Sequence, residues 1–306
     1  MVDRSACLPW RVLWQAARPA FLWLTLVVMG LTLMVVGQSE TSAHWILWGL
    51  AFLLALAAHV SVNWLNEYED ARSGLDALTV ETPYSGGSGA LQRCPQYLGL
   101  VQRAGWFLVA CIALIGLLLV LFYQVALLGF GLLGLSLVVF YTTHLTRRPW
   151  LMWLAPGLAF GPLMMLGTQW LLIGHGSATL FWLAMMVFFL VNNLLLLNQF
   201  PDVAADARVG RVSLPMWLGT QASRHVFVVS LVCVYVSLAM ALHQGRLPES
   251  AMLGWITLLL AVPLAWRVWR DHQNLTRLKP VLGWNVAVAL LTPGLVAAGI
   301  WIGEKS

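Results

Sequence analysis

The chain reads as an all-α integral membrane protein of nine transmembrane helices, and three observations predict this. Of 306 residues, 60% are hydrophobic and 9% charged, and the mean hydropathy is +0.81. The apolar residues come in unbroken runs close to the ~20 that a spanning helix needs. They do not alternate, as lipid-facing barrel strands would. Finally, the basic residues segregate to one side once the runs are threaded through a bilayer.

Taken in order, the runs are 20–37, 43–65, 104–122, 125–142, 150–173, 178–200, 225–243, 251–270 and 283–303. Only Tyr123-Gln124 separates the third from the fourth. With the N-terminus inside, every one of the 17 basic residues except Arg246 and Lys305 falls on the inner side. That is the positive-inside pattern, and an even number of spans scatters it. The reading is therefore a multi-pass protein of the cell inner (plasma) membrane with a cytoplasmic N-terminus and no cleaved signal peptide. The net charge of +5 reflects topology and contact with membrane lipid. No basic helix with a soluble face exists, so nucleic acid is excluded as a partner. The four cysteines show no C-x-x-C spacing. Cys7 and Cys94 fall on the reducing side, and the expectation is no disulfide and no zinc.

The whole chain, 1–306, reads as one domain. Outer loops are short, whereas two inner segments, 66–103 and 201–224, are long, and long loops in compact proteins are usually functional. Each begins with an acidic cluster. The first is Asn66-Glu67-Tyr68-Glu69-Asp70, followed by Gly74 and Asp76. The second runs from Asn198 through Pro201 and Asp202 to Asp206 and Gly210. The two asparagines lie 132 residues apart, four spans from each other, which suggests two four-helix halves plus one helix. Seven of the twelve acidic residues lie in or just after these clusters. Acids at membrane depth are costly and usually functional.

Spacing turns the clusters into faces. Asn63, Glu67 and Asp70 stand at i, i+4 and i+7, and Asn66 and Asp70 at i, i+4. Asn198, Asp202 and Asp206 are successive i+4 positions. Two opposed stripes of oxygen ligands suit Mg²⁺ bridged to a diphosphate, with Asn66, Glu67, Asp70, Asn198, Asp202 and Asp206 as candidate metal ligands. Arg72, Arg148, Arg208 and Arg211 lie beside them and suit phosphate oxygens, although the inside bias explains any one alone. Ser88 belongs to the Gly-rich run Thr82–Gly89, whose amides can approach phosphate or form a lid. Solvated loop acids are the competing reading for Glu69 and Glu81.

These residues resemble the UbiA superfamily of intramembrane prenyltransferases, closest to the branch that prenylates 1,4-dihydroxy-2-naphthoate. The family's N-D-x-x-D appears as Asn66-Glu67-Tyr68-Glu69-Asp70, and Asp76 matches its extended form. D-x-x-x-D-x-x-x-G-K-x-T appears as Asp202, Asp206, Gly210, Arg211 and Ser213. Arg18-Pro19, the run Gly161–Thr168 and Asn285 also look similar. The departures are Glu67 for Asp, Arg211 for Lys, and Thr146–Trp150 in place of a basic, Tyr-rich stretch.

The resemblance implies nine helices around a central cavity and Mg²⁺ holding a prenyl diphosphate donor. It implies transfer of the prenyl group to an aromatic quinone-precursor acceptor, with Tyr141 near the prenyl end; in the mechanism read from the residues, Arg211 acts on the leaving diphosphate and Asp76 or a nearby acid takes the acceptor's proton. A terpene cyclase on the same scaffold and a transporter are the alternatives. Acids at helix ends rather than deep in the spans favour an enzyme over a transporter.

Overall fold

The computed structural model describes residues 7–37, 45–75 and 87–305. They are helical, with no strand among the described residues. A short α1 (Pro9–Ala16) precedes α2 (Pro19–Val36) and α3 (Trp45–Ser73). After a turn of helix α4 (Ala90–Arg93) come α5 (Leu98–Phe122) and α6 (Leu127–Phe140). The fifth span is compound: α7 (Pro149–Leu158), a π-helical stretch Ala159–Leu166, and α8 (Gly167–Ile173). Then follow α9 (Ala178–Arg208), α10 (Leu214–His243), a 3₁₀ stretch Glu249–Thr257 leading into α11 (Leu258–Asp271), and α12 (Leu275–Gly303).

Among the described residues, eight helical segments are long and apolar enough to cross a bilayer. The expected fourth span, α6, has only 14 residues. All nine expected runs thus appear as apolar helices, eight of them long enough to cross and the fourth short. The expected loops also begin later than their boundaries suggest. Residues 66–73 continue α3, 98–103 already belong to α5, and 201–208 continue α9. Pro201 neither breaks nor restarts α9.

The centre of the molecule is α9, whose buried residues run its whole length. Polar side chains fasten it, as expected where lipid provides no hydrophobic force between helices. Asn192 accepts from the Gly157 backbone at 2.8 Å, Asn193 donates to the Phe227 carbonyl at 3.0 Å, and Asn285 donates to the Asn193 carbonyl at 2.9 Å. The backbones come close because Gly157 and Gly161 lack side chains. A Cβ on Gly157 would strike Asn192 and the Phe188 carbonyl, and one on Gly161 the Ala184 carbonyl. Pro162 lies inside the π stretch. There its missing N–H and bulky ring favour a widened turn over a regular one.

One expectation is overturned. Cys7 and Cys94 form a disulfide, with Cα atoms 5.7 Å apart across 87 residues of sequence. The compartment argument treated each cysteine alone. The fold packs α1 against α4, in a cluster of Val12, Ala16, Ala90 and Leu91, and so brings the two thiols together.

Candidate active site

Both acid-bearing helices overrun their apolar stretch. α3 continues to Ser73 and turns Asn63, Asn66 and Asp70 toward a cavity of about 620 Å³. α9 continues to Arg208 and turns Asn198, Asp202 and Asp206 toward the same space. Beyond α9 the chain reverses at Gly210, whose φ of +77° is a left-handed conformation that glycine adopts without Cβ strain. The Arg211 amide donates to the Asp206 carbonyl at 3.1 Å, and that of Val212 to the Thr146 carbonyl at 2.9 Å. This turn lays the Arg211 side chain across the mouth. Its Nη2 donates to Asp70 Oδ1, and to Asn66 Oδ1 at 3.4 Å, while Nη1 stands 4.0 Å from Asp206 Oδ1.

Arg18 approaches from the other side. It joins α1 to α2 with φ +52°, the one non-glycine with positive φ among the described residues. Such a backbone costs about 1–3 kcal/mol and persists where its surroundings enforce it. Here its guanidinium donates to Glu67 Oε2 at 3.3 and 2.9 Å and stands 3.8 Å from Asp70 Oδ2. Glu67 is wholly buried. It also accepts from the Ser88 amide at 3.1 Å and from the Ser88 hydroxyl, which ties the segment 87–93 to α3. Asn66 donates to Asp70 Oδ2 at 2.7 Å and accepts from Thr142 at 3.3 Å.

Among the described residues the charges do not balance. Glu67, Asp70, Asp202 and Asp206 face Arg18 and Arg211, two carboxylates in excess, in surroundings where Asp70 and Asp206 are 4% and 3% exposed. Uncompensated buried carboxylates are costly. The donors on the cavity wall are carboxylate and amide oxygens, which fit a hard cation such as Mg²⁺. Among the described residues no three acidic, His or Cys side chains are already gathered as a metal cage. Mg²⁺ seldom uses such a cage, taking one or two carboxylates and completing its shell with phosphate and water.

Away from the mouth the wall is almost wholly apolar. On α3 the cavity, mouth included, extends from Asp70 to Ala51, 19 residues or about 28 Å of helix. The far walls come from α5, α6, α7 and the π stretch.

Of the residues singled out from sequence, Asn63, Asn66, Asp70, Tyr141, Asn198, Asp202, Asp206 and Arg211 line this one cavity. Others do not. Glu67 and Ser88 bond each other behind the wall. Arg72 is exposed and pairs with Glu69 at 2.9 Å. Arg208 and Arg148 are exposed and off the wall. Arg72 and Arg208 each stand two residues after a cavity acid, which puts them on the opposite helix face. Asp76 lies outside the described residues, as does Gly-rich sequence before Gly87. Arg18 was missed as a site residue. Its signal in the sequence was an arginine immediately before the proline that opens the first span.

A family model described as the UbiA prenyltransferase family matches residues 21–287. Among solved structures, the chain resembles the apo form of a UbiA homolog from Aeropyrum pernix K1, at 20% identity and TM-score 0.64, covering 92% of this chain and 98% of that one. It also resembles a UbiA homolog from Archaeoglobus fulgidus bound to DMAPP and Mg²⁺, at 13% identity and TM-score 0.53, covering 95% and 99%. A UbiA homolog from Archaeoglobus fulgidus bound to GPP and Mg²⁺ matches at 15% identity and TM-score 0.52, covering 95% and 99%. At these identities the likeness speaks for the fold alone. No curated protein matches the sequence.

Proposed function

The chain belongs to the UbiA prenyltransferase family, and from that premise we propose that it transfers a prenyl group, in a Mg²⁺-dependent reaction within the membrane, from an isoprenoid diphosphate to an aromatic quinone-precursor acceptor. The observation that carries this reading is the division of one cavity. Acids, amides and two arginines gather at one end, and an almost wholly apolar wall follows, from Val62 to Ala51 on α3, about 16 Å of helix. An amphiphile with an anionic head and a hydrocarbon tail has that shape and polarity. The Archaeoglobus homologs bound to DMAPP or GPP with Mg²⁺ support the same donor and metal here.

In this reading Asp70, Asp202 and Asp206, with Asn66 and Asn198, hold the metal, which neutralises the diphosphate and draws charge off it as it leaves. Arg211 and Arg18 donate to the diphosphate oxygens, where negative charge grows as the C–O bond breaks. The apolar wall excludes water from the allylic cation, and Tyr141 faces the same space from the end of α6. Asp76 remains our candidate for the acceptor's proton. Glu67 and Ser88 brace the site rather than touch the donor. We place the protein in the cell inner membrane with the N-terminus and the segments 66–103 and 201–224 on the cytoplasmic side, on the strength of the basic asymmetry.

The test is mass spectrometry of products from purified protein, Mg²⁺, prenyl diphosphates of several lengths and a panel of aromatic acceptors. Prenylated aromatic product is expected only when Mg²⁺, donor and acceptor are all present. A cyclised hydrocarbon formed without acceptor would replace this reading with a cyclase, and no product with any donor would end it.

A further inference from the structure

Prenyl transfer accounts for the mouth of the cavity but leaves one group in its depth unused. His59 lies on α3 one turn deeper than Asn63, about 10 Å along the helix from Asn66. It is 8% exposed and lines the cavity. Among the described residues it is the one ionisable side chain on the wall beyond the mouth. Its Nδ1 is 2.8 Å from Thr25 Oγ1 on α2. Its ring meets Phe160 edge to face, with centroids 4.9 Å apart, and Phe160 belongs to the π-helical stretch.

The pair fixes the imidazole chemically. Thr25 is fully buried, and its hydroxyl has no second partner among the described residues. A buried hydroxyl left without an acceptor is costly, so the satisfied arrangement has Thr25 donating to Nδ1. A neutral ring then carries its proton on Nε2. That nitrogen has no protein partner among the described residues, and it is not among the polar atoms sealed from the cavity space. A positioned N–H donor therefore faces hydrocarbon walls. The isoprenoid tail offers it no acceptor, and a polar group against hydrocarbon alone carries a penalty. The nearby Thr168 hydroxyl does not compete for a ligand in the same way, because it already donates to the Met164 carbonyl at 2.7 Å.

We propose that the Nε2–H of His59 hydrogen-bonds a ring oxygen of the acceptor and selects aromatic acceptors that carry a hydroxyl or carbonyl on the edge away from the carbon that is prenylated. The proposal rests on the prenyl-transfer reading. The attacked carbon must sit beside the leaving diphosphate at the mouth, so the opposite edge of the same ring, with any oxygen it carries, extends inward toward α3 at the depth of His59. His59 donates throughout and takes no proton. A site built to bond a substrate oxygen discriminates sharply against the analogue that lacks it.

The experiment compares 1,4-naphthalenediol with 1-naphthol as acceptors, scoring only the product prenylated at the carbon next to O1, for which the diol carries the far-edge oxygen and 1-naphthol does not, in the wild type and in His59→Phe, His59→Gln and Thr25→Val. His59→Phe keeps the ring contact with Phe160 and removes both nitrogens. It is expected to raise the KM for 1,4-naphthalenediol about 10- to 100-fold, the range for a lost hydrogen bond plus an unpaired partner. The KM for 1-naphthol and for the prenyl diphosphate should stay within about twofold, which also reports that the variant is folded. His59→Gln, with an N–H at similar reach, should recover part of the diol's advantage. Thr25→Val should weaken it, since the ring is then no longer held in one tautomer. Equal losses for both naphthols, or a change in the donor KM, would overturn the proposal while leaving prenyl transfer standing. Failure of the wild type with every aromatic acceptor would instead sink the transfer reading, and this proposal with it.

Discussion

Asp70 accepts from both Asn66 and Arg211 while lying near Arg18, so three side chains depend on one carboxylate. Asp202 stands in the facing stripe with fewer ties. Alanine at either position is expected to abolish product formation at saturating Mg²⁺ while the protein still purifies as a folded monodisperse species. Near-normal turnover in either variant would remove that residue from the metal site. Arg211→Ala is expected to cost roughly 1.5–3 kcal/mol for a lost charge-assisted bond, equally for short and long donors, and Arg211→Lys should restore part of it. A defect confined to one donor length would contradict a role at the phosphate. Spacing made the stripes legible, because i+4 repeats share a face whatever the tertiary fold. It did not separate Glu67 from Asp70. Which acid meets the cavity and which one braces the wall depends on Arg18 and Ser88, partners that are distant in sequence.

Helix identity was read well and helix length poorly. Hydropathy marks where a chain is apolar, but α3 and α9 remain helical for two turns beyond that point because the ends pack against α1, the 87–93 segment and the Arg211 turn. Hydropathy also missed the π-helical stretch, since Pro162 and the glycines before it look merely permissive in sequence. Their function lies in contact with α9, whose backbone passes where a side chain on Gly157 or Gly161 would stand. Gly161→Val is expected to destabilise by about 1–3 kcal/mol, the usual cost of overpacking, and Gly131→Val much less, since nothing lies within 4 Å of a Cβ there. Thermal unfolding of the purified variants in one detergent gives the comparison. Equal melting points for the Gly161 variant and the wild type would mean that the two helices part more readily than their packing indicates.

At the scale of the molecule, the N-terminus is tied to the site twice. Arg18 holds Glu67 and Asp70, and the Cys7–Cys94 bridge holds α1 to the segment whose Ser88 holds the same Glu67. Composition and charge bias suggested a membrane protein with sided loops, but neither pairs two cysteines 87 residues apart. That pairing appears only once α1 is packed. Peptide mapping of protein purified without reductant is expected to recover a linked Cys7–Cys94 peptide. Reduction is expected to lower stability by about 2–4 kcal/mol, typical for closing a long loop. Two unlinked, freely alkylated cysteines in that map would show that the contact is not a bond.

The shortness of α6 has a consequence for the surrounding lipid. Fourteen residues make about 21 Å of helix, against a hydrocarbon core of roughly 30 Å. The adjoining α3 and α5 have no such deficit, at 29 and 25 residues. On the nine-span reading, in which α6 crosses, the bilayer thins on one flank of the protein and not on the other, a mismatch that costs fractions of a kcal/mol per Å. α6 also forms a wall of the cavity, so the thinned annulus lies against the compartment that receives the hydrocarbon chains. Lipid thickness becomes a control on turnover. In vesicles of graded acyl length, activity is expected to peak in bilayers thinner than the average plasma membrane and to fall as the chains lengthen. A flat response across that series would show that α6 imposes no strain on the lipid beside it.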